Sequence, residues 1–223
     1  VVVEMSPVDG HFPFICEGRL VGSGWEYNLI AEQLLNEPPS VSISPSSGAG
    51  SYAFNPSYQG YSVLLPEDTA LDGSATVRAV DNSAAPFSFP SRFKRIEIDT
   101  VDYLSHLIGP DGDVIVRLDT ANSAVQSLLF QSSPYPVPLN GLPVDAIQVG
   151  QAHSLSIEPS ADLQGTNTIR LYYAETDVTP ISGFSADEEA LQIHRWDSTT
   201  YQWLPLESLV DTTLNFVSAA ITE

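Results

Sequence analysis

Asp72-Gly73-Ser74-Ala75-Thr76-Val77-Arg78-Ala79-Val80-Asp81-Asn82 is entered through Asp-Gly and left through Asp-Asn, with small or apolar and polar side chains alternating between. Successive side chains of an extended strand point to opposite faces, so period two bounded by turn formers predicts a half-buried β-strand. The same pattern repeats outward along the chain. Tyr61, Val63 and Leu65 alternate up to Pro66, and Val114, Val116 and Leu118 share one side. Leu155 and Ile157, then Ile169, Leu171 and Tyr173, then Leu191 and Ile193 follow, and the last run holds Phe216, Val217, Ala219 and Ile221. The 17 prolines suit sheet edges and turns and are incompatible with long helices. The expected fold class is all-β, built as two immunoglobulin-like β-sandwich modules with one or two short helices in connections.

Two short helices are expected. Asn28 to Asn36 (NLIAEQLLN) has room for two turns and stops before Pro38-Pro39, where the residue preceding proline disfavours helix. Ser185-Ala186-Asp187-Glu188 has the spacing of a capping box that opens a single turn through Ala190 before a strand at Leu191. The domain boundary is expected near Ser88-Phe89-Pro90-Ser91, dividing residues 1–90 from residues 91–223, with the two halves free to stack on each other.

The 223 residues carry 8 Lys and Arg against 28 Asp and Glu, a formal charge of −20. Such a surface repels phosphate backbones, which excludes nucleic acid as a partner. No stretch approaches the roughly 20 apolar residues of a membrane span, so no membrane insertion is expected in this segment. Hydrophobic residues at 43% support a packed core. Cys16 is the one cysteine, so an internal disulfide and a multi-thiolate zinc site are both ruled out; in its apolar setting it reads as a small buried hydrophobe. Val1-Val2-Val3-Glu4-Met5 reads as a strand rather than a signal peptide, so the chain is expected to begin inside a fold. That strand is a template for pairing with a neighbouring domain or another copy. Scarce lysine with abundant Ser, Thr, Asp, Asn and Pro points to an extracellular or cell-surface bacterial setting.

No catalytic residues are assigned. There is no G-x-S-x-G elbow, and Gly22-Ser23-Gly24-Trp25 reads as a loop. His11, His106, His153 and His194 form no short-spaced pair and no His-Glu-x-x-His motif. Glycosidase chemistry needs two carboxylates facing across a cleft, which spacing alone does not supply. Calcium is the one candidate cofactor: Asp111-Gly112-Asp113 puts two carboxylates two residues apart on a turn, with Asp99, Asp102, Asp119 and Asn122 nearby in sequence. Asp111 and Asp113 are the candidate ligands, and their competing role is turn formation. Candidate glycan contacts are Tyr52 and Tyr58, expected to be exposed in the Ser/Gly/Asn/Pro-rich stretch 44–60. Trp196 and Trp203 flank Asp197-Ser198-Thr199-Thr200 and are expected to oppose each other across a hairpin as a packing pair.

The order of features from about Ile96 onward is a further signal. Gly109-Pro110-Asp111-Gly112-Asp113 precedes Val114-Ile115-Val116; Leu155-Ser156-Ile157-Glu158-Pro159-Ser160 ends a middle strand; Ile169-Arg170-Leu171-Tyr172-Tyr173 follows. An acidic Asp187-Glu188-Glu189-Ala190-Leu191 leads to Leu191-Gln192-Ile193-His194-Arg195-Trp196-Asp197, Trp203-Leu204-Pro205-Leu206 and Val210-Asp211-Thr212. This series resembles the β-sandwich of ankyrins, netrin receptors and bacterial multidomain surface proteins, over residues 96–223. The Val77 to Asn82 run resembles a late strand of an immunoglobulin- or fibronectin-like module. The resemblance implies a non-catalytic spacer or interaction module of a larger surface protein, with neighbouring domains or copies of an assembly as partners. Some relatives cut their own backbone at a His-Phe-Ser step in the final strand; the strand at residues 215–223 contains no such step. Two other readings stay open: a carbohydrate-binding accessory module of a secreted hydrolase, and, more distantly, a hydrolytic domain.

Overall fold

The computed structural model describes residues 14–21, 24–31, 35, 37–45, 50–57, 60–65, 72–80, 86–98, 106–133, 148–160, 162–178, 187–197, 199–200 and 202–222. Its strands in chain order begin with β1 (Phe14–Val21), β2 (Gly24–Ala31), β3 (Ser40–Pro45), β4 (Gly50–Ala53), β5 (Asn55–Ser57), β6 (Gly60–Leu65), β7 (Asp72–Val80) and β8 (Pro86–Glu97). They continue with β9 (Leu107–Ile108), β10 (Val114–Arg117), β11 (Ser127–Ser133), β12 (Ala152–Glu158) and β13 (Asn167–Tyr172). After the one-turn helix α1 (Glu175–Val178) come β14 (His194–Asp197), β15 (Gln202–Pro205), β16 (Ser208–Asp211) and β17 (Phe216–Ile221). All pairings are antiparallel. They make a front sheet β1-β2-β6-β5, a middle sheet β12-β11-β8-β7-β3-β4, a back sheet β16-β17-β13-β10-β9 and the hairpin β14-β15.

The chain is therefore all-β, and its cores explain the stacking. The first core lies between front and middle sheets. Tyr27, Leu29, Val63 and Leu65 face Val41, Ile43, Ala75, Val77, Phe93 and Leu129 across it. The second lies between middle and back sheets, where Leu128, Phe130, Leu155 and Ile157 meet Val114, Val116, Ile169 and Leu171. The side chains of Leu128 and Leu129 leave β11 in opposite directions and enter different cores. Every residue of β11 is buried, including Gln131, Ser132 and Ser133. A strand buried on both faces belongs to the inside of a three-layer stack rather than to the half-solvated sheet of a two-layer sandwich. A smaller third cluster at one end of the back sheet gathers Tyr173, Val178, Ile193, Val217 and Ala219.

The junction expected at Ser88–Ser91 falls inside β8. Val80 to Asp72 of β7 pair with Pro86 to Lys94, and Ser132 to Ser127 of β11 pair with Arg92 to Glu97. The segments 1–90 and 91–223 thus meet within one strand and share one sheet.

Three local expectations are corrected. Asn28 to Ala31, read as helix, belongs to β2, because Tyr27 and Leu29 are buried while Glu26 and Asn28 are part-exposed, and β1 and β6 take up the backbone on both sides. Residues 32–34 and 36 of that stretch lie outside the described residues. The expected turn at Glu188–Ala190 is present as a 3-10 turn, but its N-cap is Asp187, whose carboxylate accepts from the Glu189 N–H; Ser185 lies outside the described residues. Leu191 to Ile193 is not a strand. The Ile193 N–H donates to Ser208 Oγ, so a side chain satisfies a group that a ladder would otherwise hold. Val1 to Met5 also lie outside the described residues, as does His11; Cys16 stands in β1 opposite Leu29.

Candidate functional site

The chemistry-bearing side chains converge where the turn between β9 and β10 leans on the middle sheet. That turn needs its glycines. Gly112 adopts φ +77°, and a Cβ at Gly109 would stand 2.2 Å from Val114 Cγ1. The turn is pinned by bonds from the Gly109 N–H to the Val114 carbonyl and from the Tyr172 N–H to the Asp113 carbonyl. It presents Asp111 to Arg92 of β8, with Nη1 3.6 Å from Oδ1, and Asp113 to His153 of β12, with Nε2 3.6 Å from Oδ2. His153 Nδ1 and Ser132 Oγ of β11 lie 3.0 Å apart. Asp113 Oδ1 is buried with no hydrogen-bond partner.

Serine, histidine and carboxylate thus stand in the order used by acyl-transfer enzymes. The serine, however, is only 1% exposed. A nucleophile must reach a substrate, and Ser132 is sealed between layers; the arrangement acts as a polar tie between the back-sheet turn and two middle-sheet strands. Sequence spacing carried no sign of it, because Asp113, Ser132 and His153 meet only through strand register.

Burial pushes the His153 imidazole below its ordinary pKa of 6.5, while Asp113 and Asp111 pull it back toward the charged form. The folded state therefore favours neutral His153. Its contribution to stability is complete above pH 6.5 and is lost as pH falls from there toward the lowered folded-state pKa. Urea midpoints taken from about pH 7.5 to about pH 5 should fall in the wild type, with a shallower slope in His153→Gln. Identical slopes would show that His153 is not linked to folding.

The candidate calcium ligands Asp111 and Asp113 are thus each set against a basic or imidazole side chain. Asp119 is turned inward to backbone donors: Oδ1 accepts from the Ala121 N–H and Oδ2 from the Thr166 N–H, and these bonds hold its carboxyl below the usual carboxylate range. Asn122 Oδ1 accepts from the Gln164 N–H. Oxygens that face N–H groups are not presented to a cation. Among the described residues no three His, Cys, Asp or Glu side chains gather as a metal-holding group. Asp99 and Asp102 lie outside the described residues.

Of the candidate glycan contacts, Tyr58 lies outside the described residues. Tyr52 was expected in an exposed loop and instead stands in β4, half-buried against the first core with its ring over Gly50. Tyr27 of β2 is fully buried with its hydroxyl 3.2 Å from Ser91 Oγ. The tryptophan expectation holds: Trp196 and Trp203 are direct partners across the β14-β15 hairpin, with ring centroids 5.7 Å apart. Asp197 closes that hairpin by accepting from the Thr199 N–H and the Thr200 hydroxyl. No family model, no curated protein and no solved structure matches this chain.

Proposed function

We propose that this chain is a non-catalytic spacer and interaction module of an extracellular or cell-surface protein, holding or presenting the domains beside it. The observation that carries this reading is the burial of β11 on both faces. Among the described residues packed side chains line both inter-sheet spaces, Ser132 and His153 meet in a cross-layer tie, and Asn122 and Asn167 are engaged in loop bonds. Such an interior resists deformation, because close-packed side chains transmit strain rather than absorb it. Deletion of a described layer would remove a core, whereas exposed turns are free to vary around neighbours. The resemblance of residues 96–223 to a surface-protein sandwich points the same way.

The test is mechanical and chemical together. With one fluorescent protein fused ahead of Val1 and another after Glu223, energy transfer should be narrowly distributed and unaffected by glycan mixtures or millimolar calcium. A broad distribution would contradict a spacing role. A shift on adding polysaccharide, lost in Tyr52→Ala/Tyr58→Ala, would replace this reading with a carbohydrate-binding one.

A further inference from the structure

Among the described residues, the outward-facing side chains of the back sheet belong to none of the three cores. Val114, Val116, Ile169, Leu171, Val217 and Ala219 point into the cores, so alternation turns their neighbours out. Register aligns Ile108, Ile115, Arg170, Ser218 and Leu209 in one row across the five strands. Leu209 is 74% and Ile108 43% exposed. In the next row Tyr172 and Phe216 are direct partners with centroids 5.5 Å apart, and the Arg170 guanidinium lies 4.4 Å above the Phe216 ring. Arg117 is exposed on the same face.

These two arginines differ from others in the chain. Arg78, Arg92 and Arg95 are each ion-paired, with Glu37, Asp111 and Glu97. Among the described residues Arg170 has no carboxylate within 4.0 Å; Arg117 has none within that distance either, although its charge helps to lower the Asp119 carboxyl. A guanidinium over an aromatic ring, with apolar side chains around it, has the composition of a binding hot spot that a carboxylate would complete. The opposite chemistry sits at the end of the same sheet. Beyond Tyr173, α1 carries Glu175 and Asp177, and the 3-10 turn, with its cap, carries Asp187, Glu188 and Glu189.

We propose that the outward face of the back sheet receives the acidic end of a second copy of this chain, so that copies join head to tail. Face-to-face pairing of two identical arginine patches would bring like charges together. Docking of arginine face on acidic end instead uses two different surfaces of each copy and leaves one of each free to continue. The −20 charge of each copy repels the other at range, but at physiological salt that repulsion is screened beyond about 8 Å, so local complementarity decides the contact. The inference rests on the reading of the chain as an interaction module but fails separately from it: a monomeric wild type removes the docking and leaves rigid spacing intact, while loss of narrow energy transfer removes the spacing whatever the association state.

Sedimentation velocity across a concentration series tests it. The wild type should grow past the dimer, and Arg117→Ala/Arg170→Ala should stay monomeric. Leu209→Ser, at a site too exposed to affect folding, should weaken growth, with circular dichroism and Tm unchanged. Glu188→Lys/Glu189→Lys should also be monomeric alone. Mixed with the arginine double variant, it should form a heterodimer that stops at two, because each variant retains one complementary surface. A wild type that stays monomeric at every concentration, association that survives the arginine and leucine substitutions, or a mixture that grows beyond two copies would overturn the proposal; the first would leave the face to a different protein.

Discussion

Leu129→Ala should lower the unfolding free energy by about 2–5 kcal/mol, and Leu128→Ala, one residue earlier, should cost about as much. The two side chains are 1% and 0% exposed and enter opposite cores. In a strand with one wet face, one of the two substitutions would be nearly neutral, since surface changes away from special features stay within about 0.5 kcal/mol. Here each truncation leaves a cavity in a different space between layers. Because the cavities share a backbone but no side-chain contacts, the double variant measures how strongly the two cores communicate through β11. Urea denaturation of the three variants supplies the numbers. A cost below about 1 kcal/mol for either single variant would mean that β11 is open on that side.

The second large effect is expected at Asn122, whose side chain is a junction for two loops and is 5% exposed. Its Nδ2 donates to the Gln164 carbonyl at 2.8 Å, to Asn167 Oδ1 at 2.8 Å and to the Asp119 carbonyl at 3.1 Å, and its Oδ1 accepts from the Gln164 N–H at 2.7 Å. Asn167, itself 1% exposed, accepts in addition from the Asp119 N–H. Gly165 closes the arrangement with φ +75°, since a Cβ there would stand 2.5 Å from Asp119 Cγ. Asn122→Ala leaves the Gln164 N–H without its acceptor and breaks the link to Asn167, so the expected loss is about 2–3 kcal/mol. A double-mutant cycle with Asn167→Ala should return a coupling of about 0.5–3 kcal/mol, the signature of one network. Additive losses would mean that the two amides act independently. The Asp119 carboxylate in this loop contributes stability above the ordinary carboxylate value of 3.8, and that contribution disappears as pH falls through its lowered folded-state pKa.

Much of the sheet structure was legible because burial obeys period two. Ala75, Val77 and Ala79 are buried as their alternation requires, as are Val114, Val116 and Leu118, and Leu155 and Ile157 share one side of the second core. The Trp196–Trp203 pair followed from hairpin spacing, and β6 ends at Leu65 before Pro66, but Asp72-Gly73 are the first two residues of β7 rather than a turn before it, and Pro90 lies inside β8. The misread segment at Asn28 shows the limit. Leu29, Ile30, Gln33 and Leu34 fit one face of a helix as readily as the first two fit the end of a strand, and only pairing of Leu29 with Cys16 and Tyr61 on either side decides it. The Asp119–Asn122–Asn167 loop network and the His153 tie were invisible for a different reason. Asn122 and Asn167 are 45 residues apart and meet beside the paired strands β10 and β13, while Asp113 and His153 meet between two sheets, and no local pattern encodes register between distant strands. The extra layer was half legible. Stacked halves could be anticipated, but the Pro-containing stretch at Ser88–Ser91 reads locally as a linker, although β7 pairs with β8 continuously through it and β11 joins from Arg92 onward.

The central claim is that β8 and β11 form a middle layer common to both cores. Native-state hydrogen exchange measures this most directly. The account predicts that the slowest amides of β8 and β11, together with those of β2 from the front sheet and β13 from the back sheet, open with one free energy equal to that of global unfolding. Exchange of the front-sheet and first-core amides at a distinctly lower free energy, with the back sheet and β11 still protected, would contradict it.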